Sequence, residues 1–213
     1  MPTIPYKNAA GQRVSGVTTI LNNLGWNRDG LMWWAWNEGM EGRNFRETSG
    51  KAADAGTIAH DMIECHIKNR DFVQDGLAPE LIDKAETCFL NFLEWEQQVE
   101  FVPLFTETHL VSEKYQYGAT PDCVALVKSK PCLFDWKTGS GVYPDMLAQL
   151  AAYEMAWNET QEPKLEGGFY LLRIGKEDAS WHWHYWQSLP EAWEVFLHAL
   201  ELHKLHKILK KKT

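Results

Sequence analysis

Apolar and polar positions alternate most clearly between residues 117 and 137, YGATPDCVALVKSKPCLFDWK. Two apolar, β-branched runs, Cys123–Val127 and Cys132–Phe134, flank the turn-like Lys128-Ser129-Lys130-Pro131, and this pattern predicts a hairpin. Side chains alternate along a strand, so Asp135 and Lys137 share one face while Phe134 and Trp136 take the other. Asp122 stands on the first arm. An acid and a lysine pointing the same way, beside an acid from the paired strand, make a divalent-metal site with an adjacent cation. Buried charges need partners or a metal, so a core strand bearing them has a use for them.

The periodicity elsewhere predicts helices and a second hairpin. Ser15 reads as a cap before a short helix through Leu21, and Leu31 to Trp36 forms an aromatic cluster on another helix. Core packing is the preferred reading of those tryptophans, with stacking on unpaired bases as the alternative. A helix from Gly56 to about Lys68 puts His60, Ile63, Glu64 and Ile67 on one face. A histidine and a glutamate one turn apart form a candidate metal-linked pair, weighed against a satisfied core histidine. Pro79 to about Glu100 is a long amphipathic helix, and Phe105 to Val111 a strand carrying Glu107. Glu107 is read as an exposed strand residue in preference to a further acid at the site.

A helix from about Pro144 to Trp157 makes Gln149 and Tyr153 neighbours. Glu166 to Ile174 and Ser180 to Gln187 then pair across Gly175-Lys176-Glu177-Asp178. His182 and His184 alternate with aromatics on the second arm, but without a third ligand zinc is disfavoured. The last helix starts near Pro190 and ends in Lys204, Lys207, Lys210, Lys211 and Lys212, read either as a phosphate-seeking patch or as a solvated helix end.

Length and composition narrow the class. The 213 residues, 45% hydrophobic and 23% charged, suit one globular domain with a real core. It divides into a Trp-rich helical part at 1–50, a core at 56–187 and a basic helix at 189–213. No apolar run approaches a membrane span and no signal peptide opens the chain, so no membrane partner and a cytoplasmic location are expected. The cysteines Cys65, Cys88, Cys123 and Cys132 form no CxxC pair and are expected to be reduced thiols. A net charge of −8 opposes phosphate binding, except that metal-site carboxylates become positive patches once loaded.

Gly56-Thr57-Ile58-Ala59-His60, Gly118-Ala119-Thr120-Pro121-Asp122, Asp135-Trp136-Lys137-Thr138-Gly139 and Gln149-Leu150-Ala151-Ala152-Tyr153 occur in that order. The arrangement resembles the PD-(D/E)xK nuclease superfamily, most closely its RecB-like, phage-type exonuclease branch. The motifs span 56–157, about half the chain, and Ser15 to Leu21 with the following tryptophans also looks like the start of phage-type members. The resemblance implies a mixed α/β (α+β) fold with a central mixed sheet flanked by helices. Its restriction-endonuclease-like αβββαβ core would carry extra N- and C-terminal helices. It implies Mg²⁺ or Mn²⁺ on Asp122, Asp135, His60 and the Trp136 carbonyl, with Glu64 serving that ion or a second one. Lys137 would act on the attacking water or the transition state, and Gln149 and Tyr153 would hold the DNA backbone or the lysine's surroundings.

The expected activity is exonucleolytic cleavage of DNA that is single-stranded or has free ends, in recombination, repair or replication. For a phage-encoded protein the location would be the host cytoplasm. The alternatives are a structure-specific or flap endonuclease, a non-catalytic DNA-binding scaffold, and hydrolysis of a small phosphoester. Some relatives carry an iron–sulfur cluster on cysteines beyond the Gln-x-x-x-Tyr helix. No cysteine follows Cys132, and there is no GxxxxGK[ST] loop, so neither a cluster nor ATP is expected.

Overall fold

Lys128 and Ser129 both take positive φ, 49° and 65°. Two consecutive left-handed residues make the tight hairpin turn whose twist suits the flanking strands. That turn sets the register: Val127 pairs with Lys130 and Cys123 with Phe134. It is tighter than the sequence suggests, because Lys130 and Pro131 already belong to the second strand. Pro131 is tolerated there because it faces the incoming chain, where its carbonyl accepts from Glu166 N–H at 3.1 Å and Gly167 N–H at 2.8 Å.

The computed structural model describes residues 5–177 and 180–212. Its elements, in order, are β1 (Ser15–Gly16), α1 (Val17–Leu21), α2 (Arg28–Met40), α3 (Phe45–Ile67) and α4 (Pro79–Glu96). There follow β2 (Val102–Thr106), β3 (Leu110–Ser112), β4 (Tyr117–Ala119), β5 (Cys123–Val127) and β6 (Lys130–Lys137). The chain ends with α5 (Pro144–Thr160), β7 (Phe169–Ile174), β8 (Trp181–Trp186) and α6 (Pro190–Lys210). The fold is mixed α/β, with two mixed sheets. The larger has the order β2-β5-β6-β7-β8, parallel only at β6–β7, and the smaller β1-β4-β3, parallel only at β1–β4.

Alternation along β5, β6 and β7 divides the core in two. Val124, Leu133 and Leu171 pack with Leu150 and Trp157 of α5 and Phe196 of α6. Phe134, Trp136 and Leu172 pack on the other face with Ile63 of α3 and Phe92 and Trp95 of α4. Asp135 and Lys137 share parity with Leu133, so they stand on the α5 side. Trp95, Phe101, Phe134 and Trp136 meet edge to face at centroid distances between 5.1 and 6.2 Å, apart from the tilted Phe134–Trp136 pair at 5.7 Å.

Several expectations are corrected. The helix with His60 starts at Phe45, not Gly56, because the Asn44 side chain caps it by accepting from Arg46 N–H at 3.1 Å. Its first turns are exposed and polar, so periodicity alone does not reveal them. The strand expected over Phe105–Val111 is split between the two sheets, β2 ending at Thr106 and β3 beginning at Leu110. Glu107 lies in the break with φ of 49°. Ser15 lies in a short parallel strand and does not cap α1; its hydroxyl accepts from Lys207 Nζ at 2.7 Å and meets His203 Nε2 at 2.9 Å.

The aromatic cluster of α2 is not core. Trp33 and Trp36 are 67% and 61% exposed, and Glu38 is the buried residue of that helix. Glu38 instead ties α2 to α3: its carboxylate accepts from Arg43 and from the Thr48 hydroxyl, and these bonds hold it at about 2. Among the described residues no helix is long and apolar enough to cross a membrane.

Candidate metal centre

The hairpin register continues one step beyond Cys123–Phe134, which sets Asp122 opposite Asp135. On the other side Thr106 pairs with Cys123, and the Glu107 N–H donates to the Asp122 carbonyl at 3.1 Å. Asp122 and Asp135 therefore stand opposite each other across the hairpin, at the Cβ spacing of about 5 Å usual for such pairs, and Glu107 joins Asp122 from the break after β2. Like charges at that spacing destabilise a sheet unless cations answer them.

Two cationic side chains do so in part. His60 Nδ1 of α3 lies 3.5 Å from Asp122 Oδ1. Lys137 Nζ lies 2.5 Å from Asp135 Oδ2 and donates to Gln149 Oε1 at 3.0 Å. Gln149 Nε2 in turn donates to the Tyr153 hydroxyl at 2.5 Å, so α5 fixes the lysine from behind. The Trp136 N–H donates to Asp122 Oδ2 at 2.7 Å. An extended residue directs its N–H and C=O to the same side, so the Trp136 carbonyl also faces Asp122.

Two glycines permit the approach of the surrounding elements. A Cβ on Gly56 would lie 2.8 Å from the Thr138 hydroxyl, so only glycine lets α3 rest on the loop after β6. A Cβ on Gly118 would lie 1.9 Å from the Tyr6 ring. That ring stacks on His109 at 4.4 Å, and its hydroxyl meets Thr120 Oγ1 at 2.8 Å.

The groups are crowded by protein yet reachable by water. The side chains of His60, Asp122 and Lys137 are 26%, 12% and 19% exposed, and Glu107 is an exposed residue whose carboxyl turns towards Asp122. This is the character of a cleft. Burial pushes Asp135 up to about 6 against the pull of Lys137, and burial with the Asp122 charge pushes Glu107 up to about 8. Burial also opposes the charge of Asp122, His60 and Lys137, but the attraction between His60 and Asp122 and that of Asp135 for Lys137 outweigh it. Asp122 is held below the ordinary range, His60 is raised to about 9 and Lys137 is raised.

This donor set fits a hard divalent cation. Ligand atoms of His60, Glu107 and Asp122 all lie within 4.8 Å of one another. Asp135 Oδ1 is buried with no hydrogen-bond partner, an acceptor that a cation would satisfy. Carboxylate oxygens with one imidazole suit Mg²⁺ or Mn²⁺. Glu64 is placed differently: Lys68 and Arg70 hold its carboxylate, the latter at 3.5 Å, and it stands outside the cluster of three. His182 and His184 lie exposed on the edge strand β8 with no third ligand beside them among the described residues. Two cavities of about 470 and 400 Å³ lie elsewhere, beside α1–α2 and between α3 and α4.

Glu107 is the candidate ligand that the sequence reading set aside in favour of an exposed strand residue. The signal for it is register: the end of β2 must meet the start of β5, where Asp122 stands. A metal ion needs His60 and Glu107 without their protons, and the surroundings of both raise their pKa and so favour keeping them. Mn²⁺ binding is therefore expected to release more than one proton there, and to tighten as pH rises through the range from 6 to 9. Calorimetry in buffers of different ionisation enthalpy measures this, and heats independent of buffer would remove His60 and Glu107 from the ligand set. No family model matches this chain and no curated protein matches it, so the chemistry of the site rests on its own geometry.

Proposed function

We propose that this protein is a Mg²⁺- or Mn²⁺-dependent DNA nuclease of the PD-(D/E)xK kind, acting as an exonuclease of the RecB-like branch. The larger sheet with α3 and α5 would be its restriction-endonuclease-like core. One observation carries the reading: Asp122 and Asp135 face each other across the hairpin, Glu107 and His60 converge on Asp122, and Lys137 stands beside Asp135 on the same face. A structural ion pair needs one acid for one lysine. Acids that outnumber the cations beside them, with an oxygen of Asp135 left partnerless, suit a cation site, and a lysine held there by Gln149 has a second task.

His60, Glu107, Asp122 and Asp135 would hold the ion, with the Trp136 carbonyl facing the same space. When bound, the ion acidifies a coordinated water and offsets charge on the scissile phosphate. Lys137, anchored by Asp135 and Gln149, presents its remaining N–H to the attacking water or to a phosphate oxygen as charge develops. Tyr153 keeps its proton, since burial and the nearby Asp135 charge raise its phenol well above the ordinary value, and it holds Gln149 in place. Glu64, neutralised by Lys68 and Arg70, supports the α3 side of the cleft.

The exposed tryptophans favour a substrate with unpaired bases. Asn27, at the start of α2, donates to Asp145 at 3.2 Å in the first turn of α5, and the Asp145 charge acts on Lys137. The start of α2 is thereby tied to the first turn of α5, and the exposed Trp33 and Trp36 further along α2 offer rings of the kind on which single strands stack.

End-labelled linear DNA, single- and double-stranded, is to be incubated beside circular DNA with Mg²⁺, Mn²⁺ or EDTA. Loss of linear DNA that needs metal and spares circles is the expected result, and the label that persists longer gives the polarity. Cut circles would make the enzyme an endonuclease. Binding without cleavage of any substrate would leave a scaffold.

A further inference from the structure

The register of β6, β7 and β8 lines up a row beside the acidic pair. Lys137 lies opposite Arg173, and Arg173 opposite His182. Paired residues on neighbouring strands share a face, so three basic side chains stand about 5 Å apart on the face that carries Asp135. Such a row costs stability unless something negative answers it. Lys137 has Asp135. Arg173 has no carboxylate partner among the described residues.

Arg173 is nevertheless fixed. Its Nε donates to the Gly139 carbonyl at 3.1 Å and its Nη1 to the Ser180 hydroxyl at 3.3 Å. Gly139 belongs to the loop that leaves Lys137 for α5, so the guanidinium is tied to the rim of the metal centre. Bonds to described residues use two of its five N–H groups, and these fix the plane of the others. A planar, oriented guanidinium with no counter-charge among the described residues is suited to a phosphate.

We infer that Arg173, continued by His182, is a phosphate subsite for the nucleotide next to the scissile one, and that a single DNA strand crosses the sheet from β6 to β8. This rests on the nuclease reading given above. Phosphates along a strand advance by at least ~3.4 Å each, and neighbouring β-strands by about 4.8 Å, so successive phosphates can meet successive members of the row. The bound phosphate would also relieve the repulsion between Lys137 and Arg173.

The test is steady-state cleavage of a single-stranded oligothymidylate over a range of salt concentrations, with Mn²⁺ affinity measured in parallel. Arg173→Ala is expected to raise KM about tenfold and to make the negative slope of log(1/KM) against log[salt] shallower by ~0.7, the value of one phosphate contact on a single strand. The kcat and the Mn²⁺ affinity should stay within about twofold of wild type. Arg173→Lys should keep the salt slope while losing part of the affinity. Arg173→Gln retains an amide donor for the Gly139 carbonyl without the charge; it should show the same rise in KM and the same loss of salt slope, and it takes the place of Arg173→Ala if the alanine variant folds poorly.

Unchanged KM and slope in the alanine and glutamine variants, with an active wild type, would overturn the subsite and leave the nuclease reading intact. A fall in kcat and Mn²⁺ affinity at constant KM would reduce Arg173 to a clamp on the loop. A wild type that cleaves no DNA would end both readings.

Discussion

Asp135→Asn is expected to abolish metal-dependent DNA cleavage, by ~10³-fold or more, which corresponds to about 4 kcal/mol of lost transition-state stabilisation. The same change is expected to make the metal-free protein more stable at neutral pH. Asp135 is 1% exposed, and burial raises its pKa to about 6 in spite of Lys137. A carboxyl whose folded pKa exceeds its unfolded one favours folding only while protonated. Its contribution is present in full below the unfolded value, near 4, and is lost as pH rises through 6. Above that pH the ionised group opposes folding, by roughly 1–3 kcal/mol for a shift of this size. Asparagine has nearly the shape of the protonated acid and carries no charge, so it removes that opposition together with the metal ligand. Thermal melts in EDTA and cleavage assays with Mn²⁺ measure the two effects. A variant that cuts at the wild-type rate would end the proposal, and one that melts lower would show that the ionised acid supports the fold.

Stability sacrificed at one residue in this way is the physical mark of a site. Asp122 is held ionised by His60 and a backbone N–H, while Asp135 and Glu107 are crowded above their ordinary values. Acids split apart like this compete for too few cations, and the divalent ion proposed here would restore the balance.

Much of this was legible in the chain. The turn-like residues at Lys128–Ser129 and the alternation on either side locate the hairpin, and with it the juxtaposition of Asp122, Asp135 and Lys137. The spacing of Gln149 and Tyr153 on one helical face becomes the relay that seats the lysine. Glu107 was not legible, because its role needs a left-handed turn at a non-glycine residue and the register between β2 and β5, neither of which is coded locally. Nor was the exposure of α2. Apolar periodicity reports that a face can be buried, and says nothing of whether a neighbouring element arrives to bury it. Ser15 shows the same limit, since its partners His203 and Lys207 come from the far end of the sequence.

Lys137→Met separates a catalytic lysine from one that only neutralises Asp135. Methionine keeps most of the apolar stem in its packing and deletes the charge, so no large cavity forms. If Lys137 acts on the developing charge, kcat should fall by roughly 10²–10³-fold, the usual cost of one positioned donor. Metal binding should then move the other way. A fixed cation beside a dication site weakens it, so Mn²⁺ is expected to bind more tightly to the variant once Asp135 is ionised in both proteins. That comparison belongs at alkaline pH, because Lys137 lowers the Asp135 pKa and its removal lets the acid hold its proton to higher pH. The Asp135-linked rise of affinity with pH should accordingly shift upward in the variant. Loss of kcat with tighter Mn²⁺ binding would give Lys137 a role towards substrate. Equal losses of kcat and of Mn²⁺ affinity at alkaline pH would mean that the lysine merely organises Asp135, and the task assigned to it would pass to the metal ligands alone.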